Sequence, residues 1–491
     1  MTRTDSTTTR DPRWLALVVM CAGMLMIILD GTIVNVALPS IQRDLGFSQA
    51  DLAWVVNAYL VAFGGLLLLA GRLGDLVGRT RVFLAGLTLF TVASLVCGLS
   101  SSAEMLVAAR FVQGIGGAMT SAVILGMIVT TFPQPREQAK AIGIYSFVAS
   151  AGASIGLLAG GVLTQLLSWH WIFFVYLPFG VATGLLALRL LERERGIGLA
   201  AGADVPGAAL VTSGLMLGVY TIVAAADHGW ASAHTLGFGA LAVALLAGFI
   251  ARQATARTPL LPLAIFRSRN VTGANLVQML MIAGLFGMFF LGVLYMQRVL
   301  GFDAIEIGLA FLPVSLGIGV LSLGFSPRLN MRFGPRAVLL AGLALVAAGL
   351  ALLTRVPVDG AYVVDLLPTM LLFGVGAGLA FPALMTLAMS GATASNSGLA
   401  SGLVNTTQQV GAALGLAVLA TLATSRSDEL RAAGESTAAA LTSGYQLAFG
   451  IGAGLVGVGL ALAAFVLRSP AAEQAEQAAR VQAEVAYSEA A

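Results

Sequence analysis

Charge is what this chain lacks. Only 10% of its 491 residues are charged, 58% are hydrophobic, and mean hydropathy is +0.92. A soluble globular chain carries roughly 25% charged residues, so this one cannot cover itself with polar surface in water. Lysine occurs once, at Lys140, with no G-x-x-x-x-G-K loop before it, which excludes a nucleotide-driven pump on this chain. His170, His228 and His234 show no zinc-ligand spacing, so an embedded metalloenzyme is not indicated. The two cysteines, Cys21 and Cys97, lie in apolar runs and suggest neither a disulfide framework nor a metal site. No cofactor is implied, and the net charge of +3 carries no argument for nucleic acid.

What the chain has instead is apolar runs of about 20 residues, each long enough to cross the hydrocarbon of a bilayer as a helix. Barrel strands would alternate apolar and polar residues over about ten positions, and no such pattern is present. The first run is too long for a signal-peptide core and continues without a small-residue cleavage site into Asp30 and Asn35, so it reads as a helix. Helices are predicted at 14–38, 51–71, 80–99, 104–127, 140–163 and 168–189. A pair follows at 206–225 and 234–252. Six more are predicted at 271–296, 305–325, 335–354, 362–387, 398–422 and 443–467.

The expected fold is therefore an all-α membrane protein with fourteen transmembrane helices arranged 6+2+6. Its segments are a cytoplasmic tail 1–13, a six-helix bundle 14–190, a linker 191–270 carrying the extra pair, a second bundle 271–468 and a cytoplasmic tail 469–491. With both termini inside, 20 of the 26 basic residues fall on cytoplasmic segments and five outside, as cytoplasmic Lys/Arg enrichment requires.

Ionisable groups within membrane helices are costly and are kept for function. Asp30 lies deep in the first helix, beside Gly31, Thr32 and Asn35. It is either a structural acid neutralised by a neighbour or a carboxyl that binds and releases a proton. Arg110 lies in the fourth helix, followed by Gln113, Gly114, Gly116 and Gly117. It needs a carboxylate or carbonyl partner, unless it snorkels to an interface. Between helices 2 and 3 the turn carries Gly71, Gly74, Asp75, Gly78 and Arg79. Asp75 is suited to pair with Arg79 or to face a helix N-terminus, in a contact that forms in one conformation and breaks in another.

These motifs resemble the major facilitator superfamily and, within it, the fourteen-helix drug:proton antiporters of the QacA/EmrB type. The segment Leu29-Asp30-Gly31-Thr32-Ile33-Val34-Asn35-Val36-Ala37-Leu38-Pro39 is similar to that family's helix-1 signature, and Trp54 with Tyr59 to its helix-2 pattern. The Gly71–Arg81 turn is similar to the superfamily's gating motif, and Arg110-Phe111-Val112-Gln113-Gly114 to its proton-transfer motif. The resemblance implies proton coupling by Asp30 and Arg110, and a cytoplasmic latch formed by Asp75 and Arg79. It implies an antiporter motif of Gly152, Gly156, Gly160 and Gly161 on helix 5, packed against the other half. It departs at Leu157, where the family usually has Pro, at His170, where Arg is commoner, and at Tyr176, where Asn is commoner.

The function so implied is proton-coupled antiport, driven by the proton gradient and exporting small lipophilic drugs or antibiotics across a bacterial cytoplasmic membrane. The alternatives are a proton-coupled symporter or facilitator for a metabolite, or a lipid exporter. Expected partners are the substrate, protons and membrane lipids, with the chain a monomer. The second-half helices carry no acid near their middles, which leans away from divalent cations as substrates. Cavity residues are expected among Asn35, Trp54, Asn57, Tyr59, Gln113, Asn275, Gln278, Phe286, Asn405 and Gln409, because lipid-facing amides are unfavourable.

Overall fold

The computed structural model describes residues 12–48, 51–192, 196, 198, 203–388 and 397–468. The described residues form helices and no strand. In order they are α1 (Pro12–Leu45), α2 (Asp51–Val77), α3 (Arg79–Gly98), α4 (Ala103–Thr131), α5 (Pro135–Leu166) and α6 (Trp171–Leu190). The pair α7 (Val205–His228) and α8 (Ala233–Thr255) follows. Then come α9 (Arg269–Arg298), α10 (residues 304–333), α11 (Pro335–Leu353), α12 (Tyr362–Ala388), α13 (Ser397–Ala432) and α14 (Thr437–Phe465). Twelve of them are long and apolar enough to cross a membrane, by length and composition. The twelve omit α5 and α10; the apolar part of α10, Ala304–Val320, is short and ends in a widened turn over Leu321–Phe325.

Several helices begin where the sequence supplies a capping oxygen for otherwise orphaned amides. Ser102, Asp204, Ser232, Ser268 and Ser436 accept from the amides of Met105, Gly207, Thr235, Val271 and Ala439. Asp303 and Glu306 form a reciprocal capping box at the start of α10. The predicted ends were too conservative. α1 runs on to Leu45 and α13 to Ala432, because a helix long enough to span continues into the interface while its backbone bonds stay satisfied. The tail after residue 468 lies outside the described residues.

The same packing pairs recur in α1–α6 and in α9–α14. α1 packs on α5, α2 on α4, α3 on α4 and α6 on α3; α9 packs on α13, α10 on α12, α11 on α12 and α14 on α11. The α2–α3 turn pivots on Gly78 at φ 105° and the α10–α11 turn on Gly334 at φ 81°, a left-handed region that glycine alone enters cheaply. Two seams join the sets, α2 against α13 and α5 against α10. At the second, Gln165 donates to Asp303 Oδ2 (3.0 Å) and accepts from the Ile305 amide (3.1 Å).

The hairpin α7–α8 breaks this symmetry. α7 lies along the first seam, packed on both α2 and α13. Thr212 comes so close to Gly65 that a Cβ there would sit 2.6 Å from its Oγ1. A second apolar core unites Leu68 of α2, Leu403 of α13, Leu210 and Val211 of α7, and Phe249 of α8. α8 exposes Leu236, Val243 and Ile250 along one face and Leu241 on another, a surface suited to lipid.

At the hairpin's base Asp204 is buried. It accepts from Arg252 Nε (2.5 Å), Gln253 Nε2 (2.7 Å) and the Gly207 amide (3.0 Å), while Gln253 accepts from the Leu261 amide (3.0 Å). Burial pushes the Asp204 carboxyl up, but these hydrogen bonds outweigh it and hold its pKa below the ordinary value. A depressed carboxyl contributes stability above its unfolded pKa of about 3.9 and loses it as pH falls through the folded value. Proteolysis of the 191–270 region is therefore expected to be flat between about pH 5 and 8 and to rise only below about pH 4. Asp204→Ala should raise it at every pH.

Candidate functional site

The fourth helix can carry an arginine because glycines bring two neighbours onto it. A Cβ at Gly114 would meet the Tyr59 carbonyl at 2.5 Å, and one at Gly116 the Phe90 amide at 2.5 Å. α2 and α3 thus close over Arg110, which is 1% exposed. This excludes snorkelling.

Arg110 Nη1 donates to Asp30 Oδ2 at 2.6 Å and to Gln113 Oε1 at 2.6 Å, and its Nε donates to the Val55 carbonyl at 2.9 Å. Gln113 lies one turn on from Arg110, on the same face. It donates to Asp30 Oδ1 (3.0 Å) and to Ser94 Oγ (2.8 Å). Cys97 Sγ lies 3.7 Å from Gln113 Oε1. The guanidinium sits 4.4 Å from the Tyr59 ring centroid and 5.9 Å from that of Phe173. Asp30, Ser94, Cys97 and Gln113 are all fully buried. The result is a neutral, charge-assisted network linking α1, α2, α3 and α4, with both carboxylate oxygens occupied.

Ser94, Cys97 and the Val55 carbonyl were not singled out by sequence reasoning. The legible signal for the first two was a polar pair at i and i+3 on an apolar helix; a backbone carbonyl leaves no signal. Tyr176 stood out only as a departure from a family pattern. It is fully buried and packs edge-on against Phe90 at 5.5 Å.

The glycines of helix 5 form a stripe. Built Cβ atoms at Gly152, Gly156 and Gly160 would meet α1 at Leu25 and Ile28, at Thr32 and Leu29, and at Ile33. Gly161 would meet the carbonyl of Ala304 at 2.4 Å. The expectation that this motif packs on the other half is thus corrected for three of its four members. A stripe at i, i+4, i+8 follows one neighbour, and that neighbour is α1. The Leu157 side chain lies outside the described residues.

At the predicted gate, Arg79 Nη2 lies 3.1 Å from Asp75 Oδ1 and Nη1 donates to the Gly126 carbonyl of α4 at 3.4 Å. A Cβ built at Gly74 would meet Val123 at 2.5 Å, and one built at Gly71 would meet Ala122 at 3.9 Å. The connector after α6 covers this turn: Thr80 Oγ1 donates to the Glu192 carbonyl (2.6 Å) and the Gly198 amide to Leu76 (3.0 Å). Asp75 is 45% exposed, so its pair with Arg79 contributes only about 0.3–0.5 kcal/mol. Asp75→Asn is therefore expected to leave thermal stability almost unchanged while slowing turnover about tenfold, a barrier change near 1.4 kcal/mol. Unchanged turnover with weakened substrate binding would count against a gating role.

The expected cavity residues lie on α1, α2, α4, α9 and α13. Tyr59 and Gln113 belong to the Asp30–Arg110 network. Asn35 and Asn275 donate to carbonyls of their own helices, Gly31 (3.1 Å) and Val271 (2.7 Å), and Asn275 also accepts from Thr407 (2.8 Å). Gln278 reaches the Val404 carbonyl and Gln408, both at 3.4 Å, which ties α9 to α13. Trp54 and Phe286 are half-buried against the main core. Asn405 and Gln409 are half-buried on α13, with Gln409 against Gly64. Asn57 is fully buried on α2.

Residues 20–416 match the Major Facilitator Superfamily. The puromycin resistance protein pur8 of Streptomyces alboniger is 40% identical over 473 residues, 94% of each chain. The cephamycin export protein CmcT of Amycolatopsis lactamdurans is 39% identical over 425 residues, 86% of each chain. Among solved structures, a bacterial homolog of the human lysosomal transporter Spinster, in an inward-facing and unoccupied conformation, aligns with 93% of this chain and 97% of its own. Its TM-score is 0.65 at 16% identity, a likeness of fold alone. With its apolar helices, repeated packing and full-length relatives, the chain belongs to the Major Facilitator Superfamily of multi-pass membrane transporters.

Proposed function

We propose that this chain is a proton-coupled antiporter that exports small lipophilic antibiotics across a bacterial cytoplasmic membrane by alternating access. The observation that carries this reading is the buried Asp30–Arg110 pair between α1 and α4. Its similarity to the puromycin resistance and cephamycin export proteins supports an antibiotic as cargo. Protonating Asp30 discharges the carboxylate and leaves the guanidinium buried without a counter-charge, a state that costs several kcal/mol. A conformational change that hydrates Arg110 relieves that cost, so proton binding and helix movement are coupled.

In this reading α1–α14 all cross the membrane as 6+2+6, both termini are cytoplasmic, and the chain works as a monomer. The recurrence of the same helix pairings in the two sixes supports this count. The proton-site residues are Asp30 and Arg110, with Gln113 orienting both.

Everted membrane vesicles test the direction of coupling. An imposed proton gradient is expected to drive puromycin into inside-out vesicles carrying the protein, and a protonophore to stop it. Gradient-driven accumulation only in right-side-out vesicles would overturn export in favour of symport.

A further inference from the structure

Asn57 is fully buried, yet neither its Oδ1 nor its Nδ2 has a hydrogen-bond partner among the described residues. Buried amides are paired in the great majority of structures, so an orphan requires an explanation. Its position on α2 supplies one. Gly64, two turns further along, lies against Gln409 of α13, and Leu68, one turn beyond that, against Gly402. Helical phase therefore puts Asn57 on the face that meets α13 across the seam between the two sixes. The antiparallel run carries α13 past Gln409 into Ala412, Ala413 and Leu416, which are buried and offer no polar atom. Two residues before Asn57, the Val55 carbonyl accepts the Arg110 Nε. The orphan amide and the charge pair thus hang on the same turn of α2.

We propose that Asn57 is a substrate-contacting residue that selects cargo bearing a neutral hydrogen-bonding group, an amide or a neighbouring carbonyl and hydroxyl. This rests on the transport reading above and adds the class of group the cargo presents. An uncharged carboxamide offers one acceptor and two donors in one plane, which match such a group and discriminate against purely apolar molecules. Holding them unpaired in the empty protein costs stability that the bound substrate recovers. Because α2 is bonded to Arg110 through Val55, release of Arg110 shifts the turn that carries Asn57. Proton binding then alters the grip on the cargo.

The test compares Asn57→Leu with wild type in detergent, reading thermal unfolding and the Kd for puromycin, a compound that carries an amide and hydroxyls. Leu keeps the branched shape of Asn with methyl groups in place of Oδ1 and Nδ2 but is larger. Asn57→Ala, which removes the orphan groups without overpacking, is therefore read beside it, and the Kd of both variants must rise. The expected result is opposite signs: a higher unfolding temperature, and a Kd raised about tenfold for the lost hydrogen bonds. A lower unfolding temperature, or an unchanged Kd, overturns the proposal. If wild type fails to bind puromycin at all, puromycin as cargo fails. The unfolding temperature still decides Asn57, since a fall would mean that the amide supports the fold.

Discussion

Replacing Asp30 with Asn is expected to abolish gradient-driven transport and to lower the unfolding temperature. Adding Arg110→Gln is expected to restore the stability but not the transport. Asn keeps an acceptor for Arg110 but not the charge, and the site is 0–1% exposed, so water cannot screen what is left. Removing one partner of a buried ion pair costs about 3–5 kcal/mol, whereas replacing both with neutral groups is often nearly free. Gln113 and the Val55 carbonyl would still be present to receive a neutral Gln at 110. Thermal unfolding in detergent and puromycin efflux from energised cells are the two measurements. Full gradient-driven efflux by Asp30→Asn would remove this carboxyl from the mechanism. A double variant as unstable as the single one would show that uncompensated charge is not the cause.

Gly160→Val is expected to lose transport and most of the folded protein in the membrane, with Gly160→Ala in between. A Cβ at 160 would sit 2.7 Å from the Ile33 carbonyl oxygen and 3.3 Å from its Cα. Both are backbone atoms of α1, so no side chain can turn away. Overpacking of this kind costs about 1–3 kcal/mol or more. α1 must shift as a body, and it carries Asp30 less than one turn from Ile33. Gly237→Ala on α8, where a Cβ meets nothing within 4 Å, is the control and should be neutral. Wild-type transport by Gly160→Val would mean that the α1–α5 seam tolerates widening, and with it that Asp30 needs no fixed distance from α4.

Much of the molecule was legible without coordinates because a bilayer forces the backbone to satisfy itself. Apolar length then reports helices. Asp30 and Arg110 were legible for a related reason: no charge lies deep in an apolar helix without a partner. Their partnership was not, since 80 positions separate them and only the packing of α1 against α4 brings them to 2.6 Å. The cavity residues were the least legible. An amide in a membrane helix satisfies itself as well on its own backbone, as Asn35 and Asn275 do, as on a substrate.

By itself the sequence determined the apolar helical architecture, the family, and the identity of the two deep charges. Composition and short motifs suffice for those, because they depend on local solvation. Tertiary structure decided the rest. It put three glycines of helix 5 against α1, wedged α7 into one seam and not the other, and left Asn57 unpaired. Each of these depends on which distant segment packs alongside, which is set by packing the whole chain at once.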